Sequence, residues 1–344
     1  MLVRFDDVVG HERPIRALRR AWAGGRLHHA YLASGPEGVG KRAVAWALAA
    51  LVNCEAPVGE GESSDACGRC PSCLKLRAGQ HPDVTQVQPD GRAIKIDQVR
   101  EIQAATRFRP YEGRARVFII ERAETLRIEA ANALLKTLEE PRGDTMFMVV
   151  SDQPHRLLST IVSRCQPLRF GALSATEVVS ALEASGHCAP LDPVLARLAS
   201  GSVGRALSLA ESPVYANRRE IVARWCALPS TSDAEALGWA EEIGRARDEQ
   251  RELLELLRSV VRDGALEAGG AEPARLLHVD ERERVAEWCR GTGLPAVLEL
   301  FERLDEAERW LDGNVNARMV FERLFLAVRH PGTGNSRAPR RASA

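Results

Sequence analysis

The sequence predicts an α/β domain built on a parallel sheet, followed by a second half made of helices alone. Three observations carry this expectation. Short, continuously apolar runs alternate with helical patterns in the first half; strand-like signals stop near residue 170; beyond that point apolar residues recur only at helical spacing. A chain of 344 residues is too long for one ordinary core, and boundaries are expected at 1–170, 171–212 and 213–330, with a flexible basic tail over 331–344.

Taken in order, residues 30–33 read as a buried strand that runs into SGPEGVGK and then a helix with Val44, Ala45, Leu48, Leu51 and Val52 on its apolar positions. Residues 117–120 and 146–150 are apolar without alternation, the pattern of central strands buried on both faces. Between them lies a helix with Ala131, Leu134, Leu135 and Leu138 on one face, stopped by Pro141. Residues 173–210 predict three short helices, with the glycines of GSVGRALSLA in a tight turn. Longer helices follow, one carrying Leu253, Leu257, Val260 and Val261, another Val297, Leu300, Phe301 and Leu304. The last presents Ala317, Val320, Phe321, Leu324, Phe325 and Val328, a stripe broad enough for internal packing or for subunit contact.

The charge balance, 47 basic against 47 acidic residues, gives no global field for nucleic acid, so any such contact must be local or shared with partners. No stretch approaches the roughly 18 to 20 apolar residues that span a bilayer, and MLVRFDDVVGHER lacks the apolar segment of a signal peptide. A cytoplasmic location is expected. In a reducing compartment, clustered thiols point to metal before disulfides.

Gly35, Gly38, Gly40 and Lys41 fit the first seven positions of the phosphate loop G-x-x-x-x-G-K-[ST], between a strand and a helix as that motif requires. Glycines there let backbone amides wrap a phosphate, and the helix N-terminus and Lys41 add positive charge. The eighth position holds Arg42 in place of the hydroxyl that ligates Mg²⁺. Two unit charges at about 4 Å repel by about 4 kcal/mol at an effective dielectric of about 20, and a divalent ion doubles that, so Arg42 is expected to swing away and leave the metal one ligand short. The strand at 117–120 ends in Glu121 and Arg122, where an ATPase needs a metal-binding acid and then a water-polarising one. Glu121 can serve as the first; Arg122 cannot serve as the second. Glu124 is the alternative base if the strand is shifted.

Cys54, Cys67, Cys70 and Cys73 supply a C-x2-C-x2-C run with a fourth thiol at the end of the phosphate-loop helix. Four thiolates leave no open coordination position, so the expected ion is structural Zn²⁺, able to contribute on the order of 10 kcal/mol to ordering the loop. Cys165, Cys188, Cys226 and Cys289 are dispersed and read as packed residues. His28 and His29, adjacent in an extended segment, are expected to pack and hydrogen-bond.

LHHAYLASGPEGVGK, the cysteine insert after the phosphate-loop helix, NALLKTLEEP and IVSRC occur in the order and spacing of one family. On these segments the sequence resembles the clamp-loader branch of the AAA+ ATPases, and most closely its delta-prime subunits of bacterial DNA polymerase III, a resemblance that covers nearly all of the chain. The resemblance implies an AAA+ domain, a small helical lid and an all-α collar that joins hetero-oligomeric motor and loader subunits. It implies a role in placing a sliding clamp on primed DNA. Motor subunits of the family have Lys-Thr or Lys-Ser in the loop and Asp-Glu after the second strand; Arg42 and Arg122 set this chain with the non-hydrolysing delta-prime type, leaving nucleotide binding open. Motors also carry a sensing arginine where this chain has Gly204, with Arg205 one position late. The Ser-Arg-Cys motif falls on Ser163, Arg164 and Cys165, which makes Arg164 the candidate finger reaching a neighbour's ATP. The final helix of the collar corresponds to LDGNVNARMVFERLFL, opened by Asn314, Asn316 and Arg318. Two other readings remain, an active motor of the same family and a zinc-dependent nucleic-acid-binding module. Against the second, the cysteine insert carries Glu55, Glu60, Glu62 and Asp65 but only Arg69 in return.

Overall fold

The computed structural model describes residues 4–141, 144–184, 193–244, 246–313 and 315–330. Cys188, Asn314 and the tail at 331–344 lie outside the described residues. The chain divides into two compact units, one formed by residues up to Leu191 together with Ala199–Leu207, the other by Asp192–Leu198 together with the residues from Ser208 onward.

The first unit holds α1 (Glu12–Ala23), β1 (Ala30–Ser34), α2 (Lys41–Asn53), α3 (Pro71–Ala78), β2 (Val84–Val87), α4 (Ile96–Ala105), β3 (Arg116–Ile120), α5 (Ile128–Glu139), β4 (Thr145–Ser151), α6 (Ser159–Val162), β5 (Gln166–Arg169) and α7 (Ala175–Ala184). Its sheet runs β2-β3-β4-β1-β5, and every pairing is parallel. The apolar runs lack polar alternation because both faces are covered. Tyr31, Ala33, Val117, Ile119, Met146 and Met148 pack toward α2, whose residues from Val44 to Asn53 are all buried. Leu32, Phe118, Ile120, Phe147 and Val149 meet α4 and α5 on the other side, with Phe118 and Phe147 stacked at 5.4 Å.

The three strands expected from apolar runs form with one or two extra residues. The two edge strands, β2 and β5, escape a hydrophobicity reading. β5 buries only Leu168 and contains Pro167, which an edge position accommodates because a missing N–H there leaves no ladder bond unmade.

Three short helices occupy the stretch after β5, namely α7, α8 (Pro193–Leu198) and α9 (Val203–Glu211). The second unit continues through α10 (Pro213–Ala216), α11 (Arg218–Ala227), α12 (Asp233–Glu242), α13 (Arg247–Ala268), α14 (Arg282–Thr292), α15 (Leu294–Asp312) and α16 (Ala317–Arg329). Asn316 caps α16 by accepting the Arg318 amide at 3.0 Å. Of the two uses open to the stripe on α16, internal packing holds. Val320, Phe321, Leu324, Phe325 and Val328 are all buried in the unit's core, with Phe325 stacked on Trp239 at 4.2 Å and edge-on to Trp225 at 6.3 Å. No helix among the described residues is long and apolar enough to cross a membrane.

Phe325 is 0% exposed, so Phe325→Ala should lower the stability of the second unit by about 3–5 kcal/mol. Urea unfolding followed by tryptophan fluorescence reads this, because Trp225, Trp239 and Trp288 lie in the same core. A loss under about 1 kcal/mol would contradict the packing.

Candidate functional site

The phosphate loop spans the turn from β1 to α2. Its glycines are required by shape: Gly35 has φ +151° and a Cβ there would lie 2.2 Å from the Phe170 carbonyl oxygen, while Gly38 has φ +71° and would collide with Ser202 Oγ at 2.3 Å. Gly204, at the start of α9, donates its amide to the Gly38 carbonyl at 3.1 Å. His11, ahead of α1, braces the loop from another side through Nε2 to the Val39 carbonyl at 2.6 Å, and burial holds its pKa below the ordinary histidine value. Beside the loop is a cavity of about 450 Å³ lined by Gly38, Gly40, Lys41 and other loop residues, Glu121, Arg122, Asp152 and Gly204. Arg205 is not among the lining residues.

Lys41 is 4% exposed and donates to the Gly35 carbonyl at 2.7 Å and to the Pro36 carbonyl. Its third neighbour is Asp152, whose carboxylate lies 2.5 Å from Nζ. The sequence reading missed Asp152. Strand order was the signal needed, because β4 pairs directly with β1 in the register Ser34↔Ser151 and delivers the next residue to the loop.

Arg42 lines the cavity. Its guanidinium lies 3.8 Å from the Glu121 carboxylate, with the side chain 62% exposed. Glu121 also accepts from Gln86 Nε2 at 2.7 Å and Gln88 Nε2 at 3.2 Å. Arg122 occupies the left-handed backbone region at φ +48°, a conformation uncommon for a non-glycine residue, and lines the cavity. Glu124 does not line it and instead accepts from Ser151 Oγ at 2.6 Å.

Cys54 follows α2 as its C-cap and Cys70 caps the N-terminus of α3. With Cys67 and Cys73 they bring four sulfurs within 4.8 Å of one another, Cys54 and Cys70 at 4.0 Å. Tetrahedral Zn–S bonds of about 2.3 Å place sulfurs about 3.8 Å apart, so this donor set fits a metal ion. Backbone amides of Cys67, Cys70 and Cys73 point at sulfurs at 3.3 to 3.5 Å, the polarity a thiolate wants. Burial pushes Cys67 up, but the amides of Arg69 and Cys70 and the thiols of Cys54 and Cys70 outweigh it and draw the group down to about 6. The insert is tied to the body through Asp65, which is fully buried and accepts from the Phe5 and Asp6 amides, each at 3.0 Å, and from Arg19 at 3.1 Å.

Arg164 lies just past α6, on the surface, ion-paired with Glu139 and donating to the Thr160 carbonyl at 2.9 Å. It borders a second cavity of about 480 Å³ with His28, His29 and Cys165. The histidines pack as expected: their rings lie 4.2 Å apart, His28 Nδ1 meets the Ala30 carbonyl at 2.7 Å and His29 Nε2 the Leu138 carbonyl at 2.9 Å. The four loop residues Gly35, Gly38, Gly40 and Lys41 therefore share one site, the four cysteines a second at the far end of α2, and Arg164 stands apart from both.

The family model described as "DNA polymerase III, delta subunit" matches residues 10–174. DNA polymerase III subunit delta' of Bacillus subtilis is 30% identical over 311 residues, covering 88% of this chain and 91% of that one. Subunit delta' of Pseudomonas aeruginosa is 46% identical over a shorter stretch, 41% of this chain and 43% of that one. Subunit tau of Salmonella typhimurium is 30% identical over 87% of this chain, which spans 47% of the tau length. Among solved structures, a DNA polymerase III gamma-subunit-related protein from Thermotoga maritima shares the fold with TM-score 0.50 at 16% identity, covering 92% of this chain and 99% of that one. Read with the parallel sheet, the phosphate loop and the helical second half, these similarities make the chain a member of the AAA+ clamp-loader subunit family of DNA polymerase III, close to delta'.

Proposed function

We propose that this chain is a non-hydrolysing, delta-prime-like subunit of a DNA polymerase III clamp loader, one that helps place the sliding clamp on primed DNA and lends Arg164 to a neighbouring motor subunit. The observation that carries the first half of this reading is Arg42 against Glu121 at 3.8 Å. A guanidinium stands where a hydroxyl would hold Mg²⁺, and it takes up the carboxylate that would share the metal. Arg122 leaves the following position without a base. Both changes remove charge stabilisation on which phosphoryl transfer depends.

For Arg164, exposure at the surface and the Ser-Arg-Cys setting support delivery in trans, with Glu139 holding the side chain until a neighbour's γ-phosphate competes for it. Residues 171–212 would act as the lid and 213–330 as the collar between subunits. The four cysteines would hold Zn²⁺ as a structural ion, fixing the insert to the end of α2.

Three measurements test these points. Purified chain should release no phosphate from ATP above background; Lys41-dependent turnover would instead favour an active motor, as the tau similarity alone allows. In a loader reconstituted with motor subunits, Arg164→Ala should leave assembly intact and lower ATPase activity by about 10³-fold or more, and unchanged turnover would remove Arg164 from the mechanism. Protein prepared without chelator should carry about one zinc per chain, with Cys73→Ser reducing that content; a metal-free native protein would refute the site.

A further inference from the structure

We infer that Asp152 is an internal substitute for phosphate, an anion built into the chain that occupies Lys41 and keeps nucleotide out of the loop. The inference rests on reading this loop as degenerate, and it concerns binding, a step before hydrolysis.

The ammonium group of Lys41 has three N–H donors and nothing more to offer. Here all three directions have an acceptor: the Gly35 carbonyl at 2.7 Å, the Pro36 carbonyl, and Asp152 at 2.5 Å. The carbonyls belong to the loop itself and stay with it. A phosphate entering the loop must therefore displace Asp152, and it meets a carboxylate of its own sign at the place where it needs a cation.

Asp152 is not free to leave easily. It directly follows β4, and the turn that presents it is pinned at Ser151, whose Oγ donates to Glu124 at 2.6 Å and accepts the Gln153 amide at 3.2 Å. The wider cavity repeats the pattern. Its charged lining residues are Glu37, Glu121 and Asp152 against Lys41, Arg42 and Arg122, so the signs cancel before any ligand arrives. A triphosphate, which is strongly anionic, meets as many acidic as basic side chains there.

Removing the carboxylate that occupies Lys41 should open the site. Fluorescent ATP titrated into the full chain, with and without Mg²⁺, should bind Asp152→Asn about 10- to 100-fold more tightly than the parent, a gain of ~1.4 to 2.7 kcal/mol. Adding Lys41→Ala to Asp152→Asn should abolish the gain. Asp152→Ser provides a second, smaller replacement, and thermal melting identifies whichever variant is folded. Equal affinity in the parent and both folded variants would overturn the inference, as would a gain that survives loss of Lys41. Phosphate release by the same samples judges hydrolysis separately. Tight binding without turnover supports both readings; no gain and no turnover sinks Asp152 alone; turnover sinks the non-hydrolysing reading while the Lys41 dependence still decides the role of Asp152.

Discussion

Parallel pairing of β1 between β4 and β5 is the constraint on which the rest of the first unit depends. It brings the C-terminal ends of β1, β3 and β4 to one edge, so the phosphate loop, Glu121 with Arg122, and Asp152 converge although more than 100 residues separate Lys41 from Asp152. It also buries α2 along the sheet. That helix is about 20 Å long at 1.5 Å per residue and carries the loop lysine at one end and a cysteine of the four-thiol cluster at the other. A rigid apolar rod thus couples two polar sites, and neither can shift without disturbing the packing between them.

The same convergence sets acids beside cations of the loop. A working phosphate site keeps its positive charge unpaired until the ligand comes, at a cost in self-repulsion. Here two of the cations have an acid beside them, Lys41 with Asp152 and Arg42 with Glu121. Gly35 and Gly38 pack so closely against Phe170 and Ser202 that a side chain at either would collide, so the fold itself requires glycine at both positions.

Much of this was legible in the sequence because its signals are local. The central strands announce themselves by unbroken apolar runs, α2 and α16 by helical spacing, and the four-cysteine cluster by dense thiols. The loop and its altered positions follow from a contiguous motif. What stayed hidden depends on residues distant along the chain. β5 is too polar to stand out, Asp152 matters only once β4 is known to adjoin β1, and the direction taken by Arg42 depends on an acid 79 positions away. The stripe on α16 illustrates the converse limit, since periodicity shows that a face is apolar but not what covers it.

Gly204 adds a steric consequence. A side chain introduced there would place its Cβ 3.2 Å from the Gly38 Cα, so the loop would have to yield before any larger residue could settle at that position. The start of α9 and the phosphate loop therefore share one tolerance: neither backbone can gain a side chain at these two glycines without moving the other, and a substitution at one is felt as a change in the shape of the other.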